Sequence, residues 1–147
     1  MPVLDREYVQ TGKVRFIFVN LPLSEIHPNA VVAAEAGLCA ARQNKFWRFH
    51  DLLYRHQPDW APLPDPRRAL EALGDSAGLD RARLRSCLVS GATRAEVQQD
   101  AERARHSGAH STPTFYIEGG LLAGAAPLEV FRQVLDSIYR VRTTPHG

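Results

Sequence analysis

Two cysteines carry the most distinctive chemistry in this chain. Cys39 and Cys87 are its only two, and they are too few and too far apart for a zinc site of the usual spacing. As a pair they allow one structural disulfide, which would close a loop of about 49 residues. Helical spacing puts Cys39 on a face with Val32 and Ala36, and puts Cys87 one turn after Leu84. The alternative is therefore two unbonded thiols, buried as small apolar side chains.

The chain also has six histidines, a residue type that binds metals and transfers protons. No two of them have the HExxH spacing or a similar ligand spacing. We therefore expect structural or surface roles, no metal site and no cofactor. The histidines are His27, His50, His56, His106, His110 and His146.

Charge and hydropathy exclude two classes of partner. The formal net charge is +2, and arginines alternate with acidic residues, as at Glu102-Arg103-Ala104-Arg105. Such mixed faces predict solvated helices, so we expect no nucleic-acid partner. No apolar run approaches the roughly 18–20 residues of a membrane span, and we expect no such span. The length indicates one domain of ordinary globular composition.

A proline followed by a β-branched and aromatic run forms the clearest motif. Thr114–Ile117 has strand composition, Gly119-Gly120 suits a two-residue turn, and Leu121–Ala123 supplies the return strand. Pro113 fits the start of a strand because it has no N–H for a ladder. The Thr112-Pro113 bond can be cis for about 0.5–1 kcal/mol. Taken alone, this stretch is more typical of an ordinary strand-initiating proline.

The N-terminal part predicts a helix followed by a strand. Apolar residues at helical spacing predict a helix over Pro2–Gln10 that ends near Gly12. Val14–Asn20 then predicts a strand, apolar on both faces apart from Arg15 and therefore covered on both sides. The order of helix and buried strand indicates an α/β fold.

The middle of the chain, from Asn29 to Ser107, is predicted to be almost all helix. Prolines predict a loop at Gln57–Pro64. Gly74 is predicted to close the short helix that follows, and Asp80 to open the next one. After the hairpin, Pro127 opens a last helix, and Thr143–Gly147 is predicted to be a frayed tail.

This order of elements resembles the DsbA-like branch of the thioredoxin superfamily. The resemblance implies an incomplete thioredoxin-like fold with an inserted helical domain: residues 1–28 and 109–147 in the thioredoxin-like part, and 29–108 in the insertion. The matching segments include Tyr8–Phe16, Leu21–Leu23, His27–Ala30, Ala33–Ala36, Leu38–Ala40, Lys45–Trp47, His50–Leu53, Cys87–Leu88, Ser90–Gly91 and Ser111–Phe115.

The resemblance implies roles for some residues and leaves others without a counterpart. In that family a Cys-X-X-Cys motif lies at a helix N-terminus, where the helix dipole lowers the thiol pKa. This chain has no such motif, so no catalytic residue is carried over. By resemblance, Thr112-Pro113 should be cis, and Thr112 and Pro113 should bind an extended substrate peptide. Some relatives have a second cysteine pair in the insertion, which favours a Cys39–Cys87 disulfide in an exported protein.

Alignment with the family places Pro2–Gln10 on the second half of its first helix. The first central strand, between those expected at Val14 and Thr114, would then be missing. We expect a truncated start with Met1 an internal residue, and an extracytoplasmic location. The alternative is a complete, cytoplasmic chain in which a second copy or a swapped partner strand fills the gap.

Three functions are consistent with this resemblance. The first is thiol–disulfide exchange on protein or peptide substrates, with this chain inactive alone because the redox motif is absent. The second is a non-catalytic peptide-binding or partner-stabilised module. The third is a relative of the glutathione-using isomerases and kappa-type transferases, which share the helical insertion.

Overall fold

A computed structural model describes residues 2–143, which belong to two units with separate cores. Unit 1 contains the chain up to Val19 and from Arg105 onward, and unit 2 contains Asn20–Ala104. Met1 lies outside the described residues. So does the tail predicted at Thr143–Gly147, apart from Thr143 itself, which is helical.

Unit 2 is built from helices packed around one apolar core. Phe49, Leu70 and Leu84 are each 0% exposed at its centre, and a disulfide between Cys39 and Cys87 lies against them. The helices are α2 Ala30–Ala41, α3 Phe46–Arg55, α4 Gln57–Trp60, α5 Arg67–Ala77, α6 Arg81–Ser90 and α7 Arg94–His106, whose last two residues belong to unit 1.

Two predictions for unit 2 are wrong. The loop predicted at Gln57–Pro64 begins with α4, because Pro58 lies in the first turn, where a helix tolerates proline. The helix predicted to close at Gly74 continues to Ala77 and ends at Gly78, whose φ is +77°. Gly74 has a packing role instead: a Cβ there would lie 2.6 Å from Leu84 Cδ2, so the glycine lets α5 approach α6.

The predicted cap of α6 is confirmed. Asp80 is the N-cap, and its side chain accepts a hydrogen bond from the backbone N–H of Arg83 at 2.9 Å. One of the otherwise unpaired amides of the first turn is satisfied in this way. The start of α6 is therefore fixed by a local contact.

Unit 1 combines an N-terminal helical segment, a hairpin and a long C-terminal helix. The N-terminal segment consists of α1 Pro2–Leu4 and a π-helical turn at Asp5–Val9. The hairpin consists of β1 Thr114–Ile117 and β2 Gly120–Ala123, and the C-terminal helix is α8 Leu128–Thr143. The two strands pair antiparallel, with Ile117 opposite Gly120.

The turn of the hairpin lies one residue earlier than predicted. Glu118 has φ +45° and Gly119 has φ +92°, so these two residues form the turn and Gly120 already belongs to β2. Positive φ at both central positions is the type I′ pattern, which matches the twist of a two-residue hairpin. The glycine pair correctly predicted the hairpin but not its register.

Residues 14–20 do not form the predicted strand. They have no regular secondary structure, and the sheet of the described residues contains two strands, β1 and β2. A strand requires ladder hydrogen bonds to a neighbouring strand, and in the described chain the strand pairing is that of β1 with β2. The predicted burial on both sides is also wrong: Ile17 is 64% and Val19 is 45% exposed, while Val14, Phe16 and Phe18 are half-buried.

The core of unit 1 lies between α8 and the hairpin. Leu4, Tyr8 and Phe131 are buried there, and Phe115 of β1 packs edge-on against Phe131 with ring centroids 4.7 Å apart. Strand alternation turns Phe115 inward and therefore Tyr116 outward. No helix within residues 2–143 has both the length and the apolar character needed to cross a membrane.

Candidate functional site

The loop that precedes β1 contains the two residues predicted to bind substrate. Thr112 and Pro113 are both exposed, and the peptide bond between them is cis. They lie after α7 and directly before Thr114, the first residue of β1. The structure thus presents both residues at the surface of unit 1.

Hydrogen bonds on either side hold this loop in place. The Thr114 hydroxyl donates to the carbonyl of Ser111 at 2.7 Å, and the amide of Gly124 donates to the carbonyl of Pro113 at 2.8 Å. The second bond extends the hairpin pairing past its last strand residues. The backbone of Thr112 therefore leaves a rigid hairpin rather than a mobile loop tip.

Thr112 itself differs from these neighbours. Within residues 2–143, neither its N–H nor its C=O has a hydrogen-bond partner. An exposed N–H and C=O at the end of a strand can pair with an extended peptide by strand addition. The arrangement can bind a peptide backbone, whereas the peptide's sequence would be read by neighbouring side chains.

One such pair of side chains was not identified from the sequence. Tyr116 of β1 is 65% exposed and lies opposite Leu121 of β2, which is 46% exposed. Cross-strand pairs of this kind form an apolar surface on one face of a hairpin. The alternation of side chains along a strand, starting from the inward Phe115, could have predicted that Tyr116 is exposed. Its pairing with Leu121 could not be predicted, because the turn was placed one residue too late.

Two polar contacts hold the N-terminal segment on α8. The guanidinium of Arg132 donates to both carboxylate oxygens of Glu7, at 2.8 and 2.6 Å, and lowers the pKa of Glu7. The hydroxyl of Tyr8 donates to Asp136 at 2.9 Å, and burial, followed by this bond, raises the pKa of Tyr8. These partners are 125 and 128 residues apart, and no local sequence signal connects them.

The cysteines belong to unit 2 and are joined to each other. The Cys39–Cys87 disulfide links α2 to α6, and no cysteine of the described chain is a thiol. Neither cysteine has a second cysteine three positions away, as a Cys-X-X-Cys motif requires. The chain therefore contains no thiolate that could attack a substrate disulfide.

The histidines lie in separate places. His50 Nδ1 is 3.1 Å from Asp51, and His56 Nδ1 is 3.0 Å from Asp59. In the range that the structure describes, no three or more His, Cys, Asp or Glu side chains are grouped to hold a metal ion. His146 lies outside that range.

Comparison with known families identifies the fold. The family model described as Thioredoxin matches residues 3–137. This match covers both units and confirms the prediction of an incomplete thioredoxin-like α/β fold with a helical part.

Relatives with two different names are similar to this chain. The probable disulfide bond formation protein D of Bacillus anthracis is 26% identical over 123 residues, which is 82% of this chain and 57% of that protein. Disulfide bond formation protein D of Bacillus subtilis is 19% identical over 139 residues, 92% of this chain and 61% of that protein. The Na(+)/H(+) antiporter NhaA 3 of Salinispora tropica is 34% identical over 147 residues, but the match spans only 22% of its length.

Proposed function

Since this chain belongs to the thioredoxin family, we propose that it binds protein or peptide substrates of thiol–disulfide exchange. In this proposal the chain spans the docking part of such an oxidoreductase, with Thr112 and Pro113 contacting an extended segment of the substrate. The names of the two Bacillus relatives support disulfide chemistry as the setting. The match to the antiporter spans about a fifth of that protein, so ion exchange is not carried over to this chain.

The observation that carries the proposal is the exposed backbone of Thr112. It lies two residues before β1, without a partner in residues 2–143, and hydrogen bonds from Thr114 and Gly124 fix the chain on either side. A preorganised strand end binds an extended backbone without a large ordering cost. The exposed Tyr116–Leu121 pair on the same hairpin would contact the substrate's side chains.

The attacking thiolate is not part of the proposal for this chain. Its two cysteines are bonded to each other in unit 2, and a disulfide cannot act as a nucleophile. We propose that the thiolate comes from outside residues 1–147. The chain alone should therefore bind substrate without exchanging its disulfides.

Peptide binding tests the docking role. Isotope-labelled chain would be titrated with an eight-residue extended peptide containing a blocked cysteine, and with the same peptide carrying one N-methyl group on a central amide. We expect chemical-shift changes centred on residues 111–116 and affinity weakened about five- to tenfold by N-methylation, because one backbone hydrogen bond is lost. Shifts centred elsewhere, or equal affinity for both peptides, would contradict docking at Thr112.

Insulin reduction tests the absence of catalysis. With dithiothreitol as reductant, the chain at micromolar concentration should leave the rate of insulin precipitation at the background value. An unrelated thioredoxin with its Cys-X-X-Cys motif serves as the positive control. Acceleration that is lost in a Cys39→Ala, Cys87→Ala variant would show that the disulfide of unit 2 is catalytic, and our assignment would be wrong.

A specific observation favours a second candidate, a partner-stabilised module. Ile17 and Val19 lie between the π-helical turn and α2, and they are 64% and 45% exposed although both are apolar and β-branched. In this candidate a second copy of the chain supplies a strand to this segment. Sedimentation velocity should then show a dimer that dissociates when Ile17 and Val19 are both changed to Glu. The control is Val89→Glu on α6, a residue 77% exposed, and a monomeric parent chain would exclude this candidate.

A further inference from the structure

A cleft opens on the surface of unit 2 between α2 and α6. Its volume is about 540 Å³, within the roughly 300–1,000 Å³ of small-molecule sites. Both halves of the disulfide, Cys39 and Cys87, contribute to its lining. The cleft therefore lies beside the disulfide, in a part of the chain to which the proposed docking of peptides assigns no role.

The two sulfurs of this disulfide have different surroundings. Cys39 is 1% exposed in the core, whereas Cys87 is partly exposed on α6. Thiol–disulfide exchange depends on which sulfur an attacking thiolate can reach. Access from the cleft therefore favours attack on Cys87, with Cys39 as the leaving group.

A buried hydroxyl lies beside the leaving sulfur. Thr93 is 1% exposed, and its Oγ1 lies 3.7 Å from Cys39 Sγ. The same hydroxyl donates its proton to the carbonyl of Glu35 at 3.0 Å. Because that proton is committed to Glu35, Oγ1 can accept a hydrogen bond from a Cys39 thiol. A reduced Cys39 would thus have a polar partner already in place.

The charged side chains around the cleft favour an anionic ligand. Arg83 precedes Cys87 by four residues on α6, and Arg42, the C-cap of α2, follows Cys39 by three, so each cysteine has an arginine one turn away. Both arginines line the cleft, and Asp80 is the only acidic residue that does. Arg42 also bonds the carbonyl of Ala92 and the carboxylate of Glu96, which leaves Arg83 as the main cation for a ligand.

We propose that Cys87 is a site of reversible S-thiolation by a small thiol that carries carboxylates. The thiolate of the ligand attacks Cys87 Sγ and forms a ligand–sulfur bond, the Cys39–Cys87 bond breaks, and its electron pair goes to Cys39. The ligand thiol gives a proton to water when it forms the thiolate, and the Cys39 thiolate takes a proton from water after the bond breaks. The Cys39 thiol then donates to Thr93 Oγ1. Attack by Cys39 on the mixed disulfide reverses the reaction and releases the ligand.

Regiochemistry provides the first test. The intact chain would be incubated with reduced glutathione, quenched in acid, alkylated with N-ethylmaleimide under denaturing conditions and mapped by peptide mass spectrometry. We expect glutathione on Cys87 and maleimide on Cys39, in at least about tenfold excess over the reverse pattern. Equal labelling of the two cysteines would indicate reaction through unfolded chain, and preferential labelling of Cys39 would indicate the opposite path. Either result overturns the proposal.

Charge provides the second test. The rate at which glutathione reacts with the chain would be divided by the rate at which glutathione reacts with hydroxyethyl disulfide. The same ratio would be measured for the cationic thiol cysteamine. This ratio removes the intrinsic reactivity of each thiol. We expect glutathione to be favoured, and Arg83→Glu to slow it about fivefold at low ionic strength. Arg103→Glu is the control, because Arg103 is exposed on α7 and does not line the cleft. Equal effects of the two variants, or no preference for glutathione, would refute an anion-selective cleft.

Discussion

Unit 2 buries its large apolar side chains more completely than unit 1 does. In unit 2 the large core residues Phe49, Leu70 and Leu84 are completely buried. In unit 1 a two-stranded hairpin packs on α8, and residues 14–19 expose Ile17 and Val19. The same chain thus contains a closed helical core and an open sheet.

The difference follows from how each kind of element satisfies its backbone. A helix pairs its own N–H and C=O groups, so a group of helices needs only side-chain contacts to be complete. A strand depends on a neighbouring strand that can be remote in sequence. β1 is paired with β2, whereas residues 14–20 belong to no strand of the described chain. Unit 2 should therefore be the more stable and cooperative unit.

Truncating one phenylalanine in each unit would test this comparison most strongly. Phe49→Ala should lower the free energy of unfolding of unit 2 by about 3–5 kcal/mol, because Phe49 is 0% exposed. Both tryptophans, Trp47 and Trp60, lie in unit 2, so urea unfolding followed by their fluorescence reports that unit.

The matching substitution in unit 1 is Phe131→Ala, at a residue that is 6% exposed. It should leave the tryptophan transition in place and accelerate amide exchange of the hairpin, because Phe131 supports Phe115. If Phe131→Ala shifts the tryptophan transition as far as Phe49→Ala does, the two units unfold together and our distinction fails.

Removal of the disulfide is expected to have the next largest effect. The Cys39→Ala, Cys87→Ala variant should lose about 2–4 kcal/mol, since the bond closes a loop with a sequence separation of 48 residues. Urea unfolding by fluorescence again measures it, and the parent chain treated with excess reductant should show the same loss. A loss below about 1 kcal/mol would mean that the helices hold unit 2 together without the crosslink.

Two glycines on neighbouring helices separate packing from conformational freedom. Gly74→Ala should destabilise unit 2 by about 1–3 kcal/mol, because its Cβ would lie 2.6 Å from Leu84 Cδ2. Gly37→Ala is the control: its Cβ would meet Phe46 at an ordinary 3.5 Å, and it should change stability by less than about 1 kcal/mol. Thermal unfolding measures both, and equal effects would contradict a packing role for Gly74.

The smallest expected effect concerns a pair of carboxylates, one in each unit. Glu71 accepts two hydrogen bonds from Arg85, at 2.9 and 2.6 Å, in the same fork that Glu7 and Arg132 form in unit 1. The hydrogen bonds from Arg85 lower the pKa of Glu71 below its ordinary 4.5. Its contribution to stability is therefore complete above about pH 4.5 and is lost as pH falls through the lowered pKa.

Glu71→Gln should cost about 1 kcal/mol at pH 7 and flatten the loss of stability below pH 4.5, because Glu71 is 6% exposed. Glu7→Gln should have a smaller effect, since its pair lies more in solvent. Urea titrations at a series of pH values measure both. An unchanged acid profile for Glu71→Gln would mean that other groups control acid unfolding.

The sequence predicted those features of the fold that depend on near neighbours. Helical periodicity, the Asp80 cap and the strand composition after Pro113 each gave an element that the structure contains. The prediction of where the helix before Gly78 ends failed at Gly74, because a contact with Leu84 decides that position. The strand predicted at Val14–Asn20 failed because strand formation depends on a partner that hydropathy does not reveal.

The candidate site could be predicted only in part for the same reason. Thr112 and Pro113 were predicted from the family resemblance, and the structure exposes both. The contacts of Glu7 with Arg132 and of Tyr8 with Asp136 join opposite ends of the chain, and nothing in either segment indicates the other. Predicting that Tyr116 lies opposite Leu121 required the correct hairpin register, which depends on the positive φ of Glu118.

The open segment also has consequences for how the chain behaves at high concentration. Phe16 to Val19 is a short, uncharged, β-prone run, the kind of sequence that seeds edge-to-edge aggregation. Arg15 directly precedes this run and Lys13 lies two residues before Arg15, and both are exposed. Positive charges in such positions repel a second copy as it approaches, so we expect these two residues to oppose aggregation of the chain.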